Sequence, residues 1–341
     1  MRMKQVVVVF SIIVCGAGMV MGQTEWVDDP ENPLFGPGNT GPWDASGPWA
    51  RAVVFDGSMY HLWFTGSSQG GAPTDMGHAT STDGVEWTLD PGNPVLIRGG
   101  SGEWDSNRLD GAAVIHDGML FHMWYSGWGT GGYERVGYAT SPDGTFWTKH
   151  TGNPVMDVGA AGTFDDELVR PTAVVLDGGT YKMWYGGCHY STGPFVCHAG
   201  YAESSDGITW SKRQDPVLSP SDDPTAWDFE IAANPYVIFD GATYHMWFSG
   251  ASANHWSIGY AFSSDGIEWT KYSDNPVVSK ASEDTFHSPV FNDGTIWRML
   301  YTNAGSEYQI SQATSDCCPV AVIFSDGFEN GDTSEWSAVV P

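Results

Sequence analysis

The sequence predicts an all-β chain: a five-bladed β-propeller of four-stranded antiparallel blades, closed by its N-terminal strand. Two repeated phrases and their spacing predict it. The first, "AVVFDGSMYHLWFTG" (52–66), returns at 113–127, 173–187, 236–250 and, altered, at 289–303. Each copy is a β-branched run, an Asp-Gly turn and an alternating aromatic run, which is the signature of a hairpin. The turn aspartates Asp56, Asp117, Asp177, Asp240 and Asp293 stand 61, 60, 63 and 53 residues apart. The second phrase, "MGHATSTDGVEWTLDPGNPV" (76–95), recurs at 136–155, 199–217 and 258–277 and supplies a second hairpin, a Ser-x-Asp-Gly turn and a strand carrying Trp. Two hairpins per unit make a four-stranded blade, and five units near 60 residues make a propeller.

The elements follow in order. Residues 1–22 read as a signal peptide: Arg2 and Lys4 precede an apolar run from Val6 to Val14 that is too short to span a bilayer, and small residues follow. Residues 23–316 are the propeller. Its N-terminal "TEWVDDPENPLF" (24–35) matches "VEWTLDPGNPVL" (85–96), and the fifth unit stops after "ISQATSD" (310–316) without its outermost strand. The N-terminal segment therefore completes the last blade, so that no sheet edge is left open. Residues 317–341 are a tail outside the ring. Cys188 and Cys197 bracket one short loop and pair in an oxidising compartment, while the partners of Cys317 and Cys318 are left open.

Composition narrows the partners. The formal charge is −27, from 14 Lys plus Arg against 41 Asp plus Glu, and becomes −29 once Arg2 and Lys4 leave with the leader. Such a surface repels phosphate backbones and anionic membranes, which excludes nucleic acid as a partner class and favours neutral ligands such as oligo- or polysaccharides. No later stretch is long and apolar enough for a membrane span, so a secreted monomer is expected. The repeats account for much of the 17 Trp, so Trp content alone does not argue for sugar binding.

The repeated turns fall on one face and the individual loops on the other, which places function on the loop face around the axis. An acid recurs before each unit, at Asp44, Asp105, Asp165, Asp228 and Asp284, and recurrence argues for a structural, turn-binding carboxylate. His61, His122 and His245 share one slot with Lys182 and Arg298 and read as blade-surface residues, not metal ligands. No Cys/His set has zinc spacing and no glycine-rich loop leads into a helix. The better candidates break the repeat. At the entrance to the axis the slots read Trp49, Asp110, Arg170, Asn234 and Ser288, and nearby Glu167 and Glu230 belong to two adjacent blades. Glycoside hydrolysis needs one carboxylic acid to protonate the leaving oxygen and one carboxylate as base or nucleophile, about 6.5–9.5 Å apart in an inverting enzyme. On this reading Asp110 is base and Glu230 acid, Glu167 is the alternate acid, and Arg170 binds substrate or tunes a neighbour. Glu167 and Glu230 fit solvated loop acids equally well, with Arg170 neutralising Glu167. Trp49, Trp128, Tyr133, Tyr190, His255 and Trp256 are candidate sugar platforms, each with burial in its loop as the alternative, and Asn234 lines the same entrance.

Units of the form NPV…WD…PxVxxDGxxYxMWYxG…GYAxSxDGxxW resemble the five-bladed propellers of the glycoside hydrolase clan of arabinanases, xylosidases, invertases and levansucrases, and are similar also to mannoside phosphorylases. The resemblance covers residues 24–316. It implies an axial pocket with an Asp, Asp, Glu set on successive inner strands, and an ion near the channel for which only His287 and nearby acids offer ligands; no other cofactor is expected. The sequence departs from the family at the site. Trp49-Ala50 occupies the first-blade Asp-Pro slot, Asn234 stands where an Asp is expected, Asp110 is followed by Gly111, and the general-acid Glu has no close match beyond Glu230, five residues before Pro235. The expectation is a secreted glycoside hydrolase-like protein acting on a glycan. Its rivals are a non-catalytic carbohydrate- or surface-binding propeller and a purely structural module.

Overall fold

The computed structural model describes residues 24–39, 42–68, 72–189, 195–253, 255–286, 288–294, 296–305 and 307–315. The leader, the tail with Cys317 and Cys318, Tyr190 and His287 lie outside the described residues. The described chain is all-β apart from one 3-10 turn at Pro42–Asp44. A short strand β1 (Val27–Asp28) comes first. Then β2 (Gly47–Phe55), β3 (Tyr60–Ser68), β4 (Ala72–Ser81) and β5 (Thr88–Leu89) form one antiparallel set in chain order. The same order repeats in β6 (Arg108–His116), β7 (Phe121–Trp128), β8 (Glu134–Ser141) and β9 (Thr148–Lys149). It repeats again in β10 (Leu168–Asp177), β11 (Thr180–His189), β12 (Val196–Ser204) and β13 (Ser211–Lys212), and in β14 (Ile231–Phe239), β15 (Tyr244–Ser252), β16 (His255–Ser263) and β17 (Thr270–Lys271). The last set comprises β18 (Asp284–Phe286), β19 (Val290–Asn292), β20 (Trp297–Ala304) and β21 (Tyr308–Ser315). Its outer partner is β1, through Val27↔Thr314 and Asp28↔Ala313.

The repeated residues explain themselves once the register is known. Tyr60 pairs with both Phe55 and Ser81, so the Asp-Gly and Ser-x-Asp-Gly turns share one end of the set and the individual loops share the other. In the first turn Asp56 Oδ1 accepts the amides of Ser58 (2.7 Å) and Met59 (2.8 Å), while Oδ2 meets His61 Nε2 at 3.1 Å. The same clamp joins His122 to Asp117, Lys182 to Asp177, His245 to Asp240 and Arg298 to Asp293. The shared histidine slot is thus a turn lock, with the donor five residues after the carboxylate. In the second turn Ser81 Oγ accepts the Gly84 amide at 2.8 Å, and Ser141, Ser204 and Ser263 act likewise. The Asn of "NPV" is a side-chain rung. Asn93 takes the His78 amide and gives to its carbonyl (2.8 and 2.9 Å), as Asn153 does with Tyr138 and Asn275 with Tyr260. Asn32 makes the identical rung to Gln312, so the N-terminal segment occupies the outer-strand place of the last set.

Adjacent sets pack face to face, β2 on β6, β6 on β10 and β10 on β14, and β2 also meets β20 and β21. The core lies between sets. Trp63, Trp124, Trp184 and Trp247 are fully buried, and each indole removes ~150–250 Å² from water, or roughly 4–6 kcal/mol. Three of them also donate across to the next set: Trp63 to Gly144 O (3.0 Å), Trp124 to Gly207 O (2.7 Å) and Trp184 to Gly266 O (2.8 Å). Gly207 needs its φ of +73°, and a Cβ there would stand 3.0 Å from the Trp124 ring. The recurrent acids hold the loop end: Asp105, Asp165 and Asp228 are buried and paired with Lys149 (2.6 Å), Lys212 (2.8 Å) and Lys271 (2.5 Å).

Candidate functional site

Two places on the loop side carry chemistry. The first is a buried cluster of arginines and carboxylates near the middle of the molecule. Asp110 is 4 % exposed and lies between Arg51, whose Nη2 donates to Oδ1, and Arg170, whose Nη2 is 3.0 Å from Oδ2. Glu134, 2 % exposed, takes Arg170 Nε and Nη2 (2.8 and 2.9 Å), Arg108 Nη2 (3.1 Å) and Ser126 Oγ (2.6 Å). Gly111 makes this reach possible, because a Cβ at that position would collide with Arg170 Cγ, 2.2 Å away. Glycine beside Asp110, a departure from the family pattern, is therefore the passage for the arginine that bridges both acids. Burial by itself would raise the Asp110 carboxyl, but Arg170, Arg51 and Arg108 outweigh it and hold it below its ordinary range. Burial opposes ionisation of Glu134 too, and Arg170 again prevails. Burial lowers Arg51 to about 10 even with Asp110 beside it. Arg108 also lies over Trp128 at 4.3 Å, and Arg51 over Trp49 at 5.0 Å.

Below this cluster Ala50, Arg51, Ala112, Thr172, Asn234, Tyr236, Ser288 and Pro289 enclose a cavity of about 10 Å³, room for about one water. Asn234 is buried there with φ +51°, its Oδ1 3.0 Å from where a Cβ on Gly186 would stand. The inner strands thus meet around a space too small for a sugar ring.

The second place is an open cleft of about 930 Å³ between the β7–β8 loop and the segment leading into β10. Tyr133, Arg135, Asp157, Asp166, Glu167 and His189 are among its lining residues. Tyr133 is 44 % exposed, while Glu167 is 9 % exposed. Its volume lies in the range of small-molecule sites. His189 Nδ1 is 2.7 Å from Asp166 Oδ1, and Asp166 Oδ2 accepts the Gly162 amide at 2.6 Å. That hydrogen bond to Asp166 raises His189, and Asp166 is lowered against its partial burial by the Gly162 amide and His189. Asp166, Glu167 and His189 each offer an atom within 4.8 Å of the others, a cluster able to approach a cation. The Cys188–Cys197 disulfide ties β11 to β12 one residue from His189.

The sequence candidates are therefore divided. Asp110 and Arg170 come together in the buried cluster, and Tyr133 and Glu167 in the cleft. Glu230 is elsewhere: its Oε2 accepts the Ala253 amide at 3.2 Å, and no hydrogen bond or ion pair joins it to Asp110 among the described residues. Trp49 stands edge-on to Tyr308 (5.1 Å) and Phe286 (6.3 Å), and Trp256 is tilted on Phe286 at 5.6 Å. His255 is exposed, 3.4 Å from Asp284. Tyr190 is outside the described residues. Three charged residues of the buried cluster escaped the sequence reading, Arg51, Arg108 and Glu134. The slot of Glu134 reads Thr74, Glu134, Cys197, Trp256 and Tyr308 across the units, so the repeat-breaking criterion applied to the third strand would have found it.

No protein-family profile matches the chain. It is 29 % identical over 269 residues to an uncharacterized protein of Mycobacterium tuberculosis, Rv1502, covering 73 % of this chain and 85 % of that one. Among solved structures it is similar to a glycoside hydrolase at TM-score 0.67 and 19 % identity, covering 83 % of this chain and 90 % of the other. It is also similar, at TM-score 0.64 and 16 % identity, to a structure described with the GH130 family of mannoside phosphorylases and its hydrolases of β-1,2 mannosidic linkages, covering 89 % and 98 %. At these identities the likeness is one of fold: the chain has a glycoside hydrolase-like, propeller-like architecture.

Proposed function

We propose that the protein is a secreted five-bladed β-propeller, closed by its N-terminal strand, that binds a glycan in the cleft beside Tyr133. The observation that carries this reading is the contrast between the two sites. The acid nearest the axis is sealed between guanidiniums above a one-water cavity, whereas the cleft is open, sized for sugar and furnished with an exposed aromatic ring, carboxylates and a histidine. A sugar needs an apolar face to stack on and several acceptors for its hydroxyls, and the cleft offers both. Export is supported by the charged, apolar leader and by the Cys188–Cys197 disulfide, which suits an oxidising compartment. A monomer fits the acidic surface.

A second reading, glycoside hydrolysis, is supported by the shared architecture and by Asp166 and Glu167 lying side by side in the cleft. In this form Glu167 is the general acid and the ionised Asp166 beside it the carboxylate that activates water, while Asp110 is sealed between guanidiniums and Glu230 serves the Ala253 turn. The test is retention and turnover of a panel of polysaccharides and aryl glycosides by the mature protein, with Tyr133→Ala, Glu167→Gln, Asp110→Asn and Glu230→Gln beside it. Binding without turnover, weakened about tenfold or more by Tyr133→Ala, is the expected result. Turnover lost in Glu167→Gln supports the second reading. Turnover lost in folded Asp110→Asn and Glu230→Gln alike would overturn both and restore the axial pair.

A further inference from the structure

Among the described residues every lysine and arginine makes an ion pair except Arg135 and Arg213. Arg213 is exposed, where an unpaired charge costs little. Arg135 is half-buried and lines the cleft. Its Nη2 donates to the Thr130 carbonyl at 3.2 Å, and no hydrogen bond or ion pair reaches its Nη1 among the described residues. In a chain with 41 acidic residues against 14 basic ones, this is not for want of carboxylates. Two acids of the cleft are engaged elsewhere: Asp166 holds His189 and the Gly162 amide, and Asp157 Oδ1 accepts the Val158 amide at 2.9 Å. A cleft-lining guanidinium with N–H groups left without a protein acceptor can take one from a ligand. A guanidinium matches a planar carboxylate through two parallel N–H bonds.

We propose that the cleft takes a carboxylate-bearing sugar, a uronate, with Arg135 holding the carboxylate and Tyr133 the face of the ring; this rests on the glycan-binding reading of the same cleft. The neighbouring acids then serve as acceptors for sugar hydroxyls. Because the surface as a whole is strongly negative, the ligand is a short or terminal uronate: a long polyanion is opposed by the field that surrounds the cleft.

The experiment is calorimetric titration of the mature protein with a galacturonate tetramer, its methyl ester, a sulfated neutral tetramer and an unmodified neutral tetramer. The acid form is expected to bind about tenfold or more tightly than its ester, the worth of one charge-assisted pair. Arg135→Gln is expected to bring that ratio close to one. The comparison of acid with ester in the unaltered protein needs no variant, so a folding defect in Arg135→Gln leaves the proposal exposed to refutation. Equal binding of acid and ester overturns it, as does sulfate binding as well as carboxylate, which would mean that any anion suffices. A preference that survives Arg135→Gln moves the carboxylate to another cation and also overturns it. Neutral sugars bound through Tyr133 without preference leave the glycan reading standing and this one refuted; no binding of any probe refutes both.

Discussion

Asp110→Asn tests whether the buried arginine cluster is scaffolding. The substitution keeps the shape of the side chain and removes a charge that two guanidiniums share at 4 % exposure. Three guanidiniums then face only Glu134, where before they faced two carboxylates. Breaking one side of a buried ion pair costs about 3–5 kcal/mol, mostly from the charge left without a partner. For a domain of this size each kcal/mol moves the melting midpoint by roughly 2–4 °C, so the variant should melt roughly 6–20 °C lower at pH 7. Glu230→Gln is the control, since a half-buried side chain that accepts one amide should cost about 1 kcal/mol or less. The pH sign follows from the lowered carboxyl of Asp110. Its contribution is present above the unfolded value, about 3.9, and is lost as pH falls through the lower folded value. Scanning calorimetry of the three proteins at pH 7 and pH 3 is the assay, with the gap between Asp110→Asn and the parent narrowing at the lower pH. An Asp110→Asn variant that melts within about 1 °C of the parent, or no lower than Glu230→Gln, refutes the scaffold argument.

Further outcomes follow from other contacts. Trp124→Phe removes the indole donor to Gly207 O and part of a fully buried ring, and should destabilise by about 2–4 kcal/mol in urea unfolding, more than the same change at the partly exposed Trp128. His78 is held down to about 4 by burial and by His61 beside it. The unfolded chain therefore binds the extra proton first, and stability present above about pH 6.5 should decline as pH falls toward 4. A His78→Asn variant should show a shallower decline between pH 6.5 and 5, and an unchanged slope would refute the assignment. Reducing Cys188–Cys197 should cost roughly 2–3 kcal/mol, read as a lower melting midpoint in reductant that a Cys188→Ser, Cys197→Ser variant reproduces without reductant.

How far the sequence could be read depended on whether a residue's partner was local. The Asp-Gly and Ser-x-Asp-Gly turns are closed by amides two or three residues away, so Asp56 and Ser81 announce them directly. The histidine slot was recognisable, and its partner, five residues earlier in the same hairpin, lay within the repeated phrase. Arg51, Asp110, Glu134 and Arg170 come from three strand sets, and nothing local to any of them names the others. Asp110 drew attention as an acid in a strand-opening slot, but whether such an acid is a base or a buried counterion depends on which arginines reach it. That depended on Gly111 leaving a gap, which reads in sequence only as an odd neighbour. The cleft was partly legible, since Tyr133 and Glu167 both break the repeat, while nothing in the sequence marks Arg135, whose lack of an ion pair shows only once the other cations' partners are known.

The rung between Asn32 and Gln312 joins residues 280 positions apart. A chain synthesised from its N-terminal side carries β1 unpartnered until β21 has been made. The first segment out is thus the last to find its place, and until then β21 presents a bare edge to any passing strand. Completion of this set is accordingly a late step that depends on β1 and β21 together. Damage near Asn32 and damage near Gln312 should produce the same half-finished, aggregation-prone species, even though the two sites lie 280 positions apart.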